Sequence, residues 1–153
     1  MKDQSQLMDI ARSSTVYDCS LLTLPRVENP AGNITAVNNQ EEIPFDTKRV
    51  YYLYDVPGGE ERGGHSHKEL QQLIVAASGS FDVTLDDGRV KRTISLSRPN
   101  VGLFLPPGLW RELVNFSSGS ICLVLASMEY SEADYIRGYQ EFLNFKNLKR
   151  AGL

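Results

Sequence analysis

Gly58-Gly59-Glu60-Glu61-Arg62-Gly63-Gly64-His65-Ser66-His67-Lys68-Glu69-Leu70-Gln71 contains both histidines of this 153-residue chain. A β-rich run over residues 49–54 precedes it, and another over 72–77 follows it. Residues two apart on a strand point to the same face. His65 and His67 are therefore expected to share one space beside a glycine-rich turn that also carries Arg62.

Outward from that stretch the pattern repeats. Residues 49–56, 72–77, 80–85, 91–96, 101–105, 110–115 and 120–127 all read as strands. Turn chemistry separates them at Ser78-Gly79, Asp86-Asp87-Gly88, Arg98-Pro99-Asn100, Pro106-Pro107-Gly108 and Ser117-Ser118-Gly119. Asp87-Gly88 between two β-runs is a hairpin signal. Short strands at intervals of about ten residues predict an all-β sandwich or barrel. Upstream, residues 1–14 read as an arm or short helix, 15–24 as one strand or two, and 33–37 as a further strand. Downstream, Ser131 with Asp134 reads as a helix start. Tyr135, Ile136, Tyr139, Phe142 and Leu143 follow at helical spacing, which predicts one amphipathic helix over about 131–147. The whole chain, 1–153, reads as one domain.

Composition narrows the function classes. A net charge of -3 gives no basic footprint for nucleic acid. No apolar run approaches the roughly 20 residues of a membrane span, and no signal peptide opens the sequence, so a cytoplasmic protein is expected. Cys19 and Cys122 are far apart, and both are expected to be free, buried thiols.

The histidine pair lies in a pattern similar to the cupin family, whose first motif is G-x5-H-x-H-x3,4-E-x6-G. Gly59, His65, His67, Gln71 and Gly79 match it when three residues separate His67 from the glutamate position, with one residue extra at the end. The second motif, P-x-G-x2-H-x3-N, is matched by Pro106, Gly108, Arg111 and Asn115. The resemblance implies a double-stranded β-helix, or jelly-roll barrel, with a C-terminal α-helix. Two metal-ligand positions are altered. Gln71 replaces the glutamate and is a weak neutral ligand. Arg111 replaces the later histidine and has no lone pair to donate. Two histidines fall short of the usual three protein ligands of a catalytic metal, so no metal and no other cofactor is expected. An imidazole can move protons near neutral pH, and a fixed guanidinium can stabilise an oxyanion or hold a phosphate. Together these suit proton abstraction beside a carbonyl on an anionic substrate.

A narrower resemblance rests on Lys48-Arg49-Val50-Tyr51-Tyr52-Leu53-Tyr54-Asp55-Val56, Arg62-Gly63-Gly64-His65-Ser66-His67-Lys68, Leu85-Asp86-Asp87-Gly88, Pro107-Gly108-Leu109-Trp110 and Asp134-Tyr135-Ile136-Arg137. These blocks are similar to the sugar 3,4-ketoisomerases of the WxcM-like family. The resemblance implies a metal-independent isomerase acting on dTDP-4-keto-6-deoxy-D-glucose through an enediol. It implies that His65 is the base and His67 a proton relay between the oxygens. Arg62 is implied as a substrate contact, and Arg111 takes a position linked to product configuration at C4, which stays open. Tyr52 and Gln71 complete the candidate substrate-binding set. The family also forms homodimers that exchange N-terminal strands, which gives residues 15–24 an expected partner. The competing readings are a 3,5-epimerase-type sugar-nucleotide enzyme, a metal-dependent cupin oxygenase, and a non-catalytic nucleotide-sugar sensor.

Overall fold

The computed structural model describes residues 2–148. Helix α1 (Gln4–Ser13) comes first, followed by a 3-10 turn at Val16–Asp18 and strand β1 (Ser20–Thr23). The strands β2 (Arg49–Leu53), β3 (Arg62–His67), β4 (Gln72–Ser78), β5 (Phe81–Asp86) and β6 (Lys91–Leu96) come next. They are followed by β7 (Val101–Leu105), β8 (Trp110–Val114), β9 (Ile121–Ala126), the two-residue β10 (Tyr135–Ile136) and helix α2 (Tyr139–Phe145). Two five-stranded sheets form, ordered β1-β7-β4-β9-β2 and β10-β3-β8-β5-β6. All their pairings are antiparallel. The all-β architecture agrees with the pattern of short alternating runs.

Alternation decides what lies between the sheets. On β5, Phe81, Val83 and Leu85 are buried while Asp82 and Thr84 are part-exposed, and the inward set meets Ile74, Leu103, Cys122 and Val124 in one core cluster. Strand β4 departs from alternation: its first five residues are all buried. Its outer face, Leu73 and Val75, is roofed by Leu24, Ile43 and Phe45, so an apolar residue is favoured on both faces. Cys19 and Cys122 are free and buried, and burial pushes both thiols up to about 12.

Three segments differ from the sequence expectation. The helix expected over 131–147 is broken into a 3-10 turn at Glu132–Asp134, strand β10 and the shorter α2. The break has a cause: Tyr135 and Ile136 pair with His67 and Ser66, so the backbone there serves the sheet. Gly138 rather than Ser131 is the N-cap of α2. Residues 33–37 form no strand, only a single bridge between Val27 and Ile34. The arm is an ordered helix: the Asp3 carboxylate accepts from the Gln6 N–H and the Gln6 side chain accepts from the Asp3 N–H. No helix among the described residues is long and apolar enough to cross a membrane.

Phe81 is 1% exposed and stacks on Phe116 at 5.3 Å between ring centroids. Phe81→Ala should cost about 3–5 kcal/mol of unfolding free energy, measured by urea titration. A loss under about 1 kcal/mol would mean that the inter-sheet space collapses around the deletion.

Candidate active site

The His65–Arg111 pair is built by the β3–β8 ladder, in which the two residues are direct partners. The ladder slips between Arg62 and His65, and Gly63 takes φ 80° at the slip. A side chain is strained at that φ, so glycine allows the bulge that re-aims the histidine strand. His67, two residues on, is opposed by Tyr135 of β10.

Arg111 is 3% exposed, yet no carboxylate among the described residues pairs with it. One Nη2 contacts His65 Nε2 at 3.2 Å and donates to the Tyr51 hydroxyl at 3.1 Å. A guanidinium has no acceptor, so His65 Nε2 is the acceptor and its proton lies on Nδ1. Arg111 Nε and Nη1 are buried without partners among the described residues. Gln72 donates to the same Tyr51 hydroxyl at 3.0 Å.

His67 lies behind His65. The two rings meet edge to face at 4.8 Å, and Tyr135 packs against both, at 4.9 and 4.5 Å. His67 Nδ1 donates to Asp134 Oδ2 at 3.0 Å, while Asp134 Oδ1 accepts from the Glu69 N–H at 2.8 Å. This two-handed carboxylate fixes the tautomer and leaves His67 Nε2 as a buried lone pair without a partner among the described residues. Burial, with the Arg111 charge alongside, lowers His65 to about 2. Burial lowers His67 to about 4, the Asp134 hydrogen bond opposing it. Both imidazoles are neutral at pH 7.

His65, Arg111 and Arg62 line one cavity of about 490 Å³, together with Arg49, Tyr51 and Arg137. The structure therefore brings together four of the six candidates, with His67 one layer beneath. Tyr52 is elsewhere. It is 58% exposed and stacks with Tyr54 at 5.8 Å on the far face of β2; alternation gives the inward place to Tyr51. Gln71 also faces away, lining a separate cavity with Phe45 and Lys48. The inward residue is Gln72, so four residues separate it from His67, and Gly79 then follows after six. The motif permits three or four, and the roof of Leu24, Ile43 and Phe45 over Leu73 and Val75 settles which, because it leaves Gln72 on the opposite face beside Tyr51. Asp134 and Tyr135 were missed as site residues because the helical spacing assigned them to an amphipathic helix.

The donor set does not fit a metal. A divalent ion beside His65 would meet a guanidinium already 3.2 Å from its Nε2, and neutral Gln72 stands where a carboxylate would be needed.

The family model described as WxcM-like, C-terminal (FdtA) matches residues 17–147. The chain belongs to the WxcM-like family. A relative from Aneurinibacillus thermoaerophilus, TDP-4-oxo-6-deoxy-alpha-D-glucose-3,4-oxoisomerase, is 41% identical over 135 residues, covering 86% of this chain and 97% of the relative. A solved 3,4-ketoisomerase from Helicobacter canadensis is 45% identical, with a TM-score of 0.83 over 85% of this chain and 98% of its own. The 3,4-ketoisomerase QdtA from Thermoanaerobacterium thermosaccharolyticum, solved as a mutant with TDP-4-keto-6-deoxyglucose, is 37% identical. Its TM-score is 0.83 over 85% of this chain and 94% of its own.

The histidine environment has a pH consequence. Both imidazoles resist protonation in the fold, whereas unfolded they titrate near 6.5. As pH falls below 6.5 the unfolded chain binds protons that the folded chain refuses, so this contribution to stability is present above that pH and is lost on acidification. Urea unfolding at about pH 7.5 and about pH 5 should show a drop that is smaller in His65→Asn than in the parent chain. An equal drop would mean that His65 titrates normally in the fold.

Proposed function

We propose that the chain is an isomerase that moves the keto group between C4 and C3 of TDP-4-keto-6-deoxy-D-glucose, in deoxysugar biosynthesis. The observation that carries this reading is the buried contact between neutral His65 and an Arg111 whose remaining N–H donors have no partner. An unpaired buried cation is costly. A substrate oxygen that accepts from Arg111 relieves that cost, and by drawing the guanidinium off His65 Nε2 it frees the base's lone pair.

The steps follow from the atoms. His65 takes the proton from C3, and the C–H electrons form the C3–C4 double bond as the carbonyl π electrons move to O4. Arg111 stabilises the oxyanion. His67, with an unpartnered Nε2 held in place by Asp134, moves a proton from the hydroxyl on C3 to the oxygen on C4. His65 then returns its proton to C4, and the carbonyl re-forms at C3. One carbon is oxidised and its neighbour reduced, so the reaction is redox-neutral within the sugar and needs no nicotinamide. Arg62, Arg49 and Arg137 at the cavity rim suit a diphosphate. The relatives named as 3,4-ketoisomerases support this reading over the 3,5-epimerase and sensor readings.

We further propose a homodimer. Supporting it, β1 is an edge strand that exposes Leu21. The sheet it belongs to also exposes Val50 and Tyr52, with Tyr54 following, an apolar row suited to a second copy. That gives Tyr52 a place outside the substrate site.

The protein is to be incubated with TDP-4-keto-6-deoxyglucose in D2O and followed by proton NMR. Loss of the C3 proton signal and growth of a 3-keto product are expected, with the C4 coupling reading the product configuration. His65→Asn should lower the rate by about 10²-fold or more. Unchanged spectra from the parent chain would refute the isomerase.

A further inference from the structure

Helix α1 lies outside residues 17–147 that the family model matches, yet its C-terminal end is tied to the rest of the chain by buried hydrogen bonds. A helix ends with carbonyls that have no partner within it. At the end of α1 the C-cap residue of α2, a lysine, supplies the donors. Lys146 Nζ, 7% exposed, donates to the carbonyls of Ala11 at 2.8 Å and Ser14 at 2.7 Å and to Ser14 Oγ at 3.1 Å. Three N–H donors meet three acceptors. Burial lowers Lys146 only to about 8, with Asp87 and Asp18 opposing, so it stays cationic at neutral pH, where the negative end of α1 favours it.

The capping is reciprocal. Arg12, in the last turn of α1, donates to the Phe145 carbonyl at the end of α2 at 2.8 Å and lies 4.4 Å over the Phe145 ring. Each helix end is closed by the other's cation. Beyond the junction the chain stays fastened: the Val16 N–H donates to Asp87 at 3.0 Å, and Arg92 donates to the Val16 carbonyl at 3.1 Å.

The junction grips one short turn. Ser14 Oγ donates to the Pro107 carbonyl at 2.8 Å. The Ala11 carbonyl sits so close to Gly108 that a Cβ there would lie 1.9 Å from its oxygen, so only glycine lets the helix seat. The Gly108 N–H in turn donates to the His67 carbonyl at 2.8 Å. From the other side, Phe142 and Leu143 of α2 pack with Trp110, the residue before Arg111. The same unit thus backs the peptide of His67 and the neighbour of Arg111.

We propose that α1 is a positioning brace for the active site: reciprocal cation caps lock it to α2 across Pro107-Gly108, and that turn holds the His67 backbone in place. Its catalytic part rests on the isomerase reading, whereas its structural part does not. The test uses the full chain with Lys146→Met, Lys146→Arg, Arg12→Leu and deletion of residues 2–14. Amide hydrogen exchange at Gly108 and in α1 is followed by NMR, and kcat and KM are measured on TDP-4-keto-6-deoxyglucose.

Lys146→Met should loosen α1, speed exchange at Gly108 by about tenfold or more, and lower kcat by about tenfold with KM changed less than about twofold. Lys146→Arg should recover part of both. If Lys146→Met does not fold, Arg12→Leu on the exposed side of the junction reports the same quantities. Loss of α1 protection with Gly108 exchange and kcat unchanged overturns the brace, as does a Lys146→Met chain in which α1 stays protected. If the parent chain turns over no keto sugar, the isomerase reading fails and the Gly108 exchange alone decides the brace.

Discussion

A guanidinium buried at the end of a sheet ladder without a carboxylate is the constraint on which the rest of this site depends. Arg111 cannot shed its charge, so its surroundings must accommodate it. Tyr51 and His65 each give it one oxygen or nitrogen, and Gln72 donates to the same Tyr51 hydroxyl without adding charge. A glutamate at position 72 would add a negative charge one hydroxyl away from Arg111. The neutral amide keeps the cation's remaining donors open. The same charge helps hold both histidines neutral and makes the pocket hostile to a divalent ion. On the proposed reading, the arginine and the neutral amide together turn a metal-ligand set into an anion-stabilising one.

The frame explains why the arrangement is stable. His65 and Arg111 are ladder partners, so their separation is set by inter-strand hydrogen bonding and not by two flexible stems. His67 is pinned at both ends of its residue, by the Asp134 carboxylate on the ring and by the Gly108 N–H on the carbonyl. Asp134 reaches it because the chain abandons helix for two residues and adds β10 to the sheet. What periodicity counts as a flaw in a helix is the means of delivering that carboxylate.

Much of this was legible from residue order. Alternation and turn chemistry gave the strands, because the period of two is imposed by the pleat and survives most tertiary contexts. The His-x-His pair was found because its spacing puts both rings on one face, and Arg111 because it stands at a ligand position of the cupin pattern that the chain resembles. Register within a permitted gap was not legible: one residue decides between Gln71 and Gln72, and only the roof of Leu24, Ile43 and Phe45 over Leu73 and Val75 fixes it. Tyr51 and Tyr52 divide correctly by parity, but parity does not say which face is inside. The helix expected over 131–147 failed where pairing with β3 outweighed a helical spacing of aromatic residues. The arm was ambiguous because its anchor, Lys146, lies at the other end of the sequence.

The depth ordering of the two histidines also bears on chemistry. A base that takes a proton from one carbon and returns it to the next must not hold it tightly. Burial and the Arg111 charge make His65 a weak base in the empty pocket. On the proposed reading, a diphosphate at the rim arginines brings negative charge that offsets the Arg111 charge and so raises the affinity of His65 for a proton when substrate is bound. His67 is shielded beneath His65 and Tyr135 and retains the Asp134 hydrogen bond, so it is the less strongly lowered of the two. On the proposed mechanism, proton transfer at carbon and proton transfer at oxygen fall to two imidazoles whose surroundings differ.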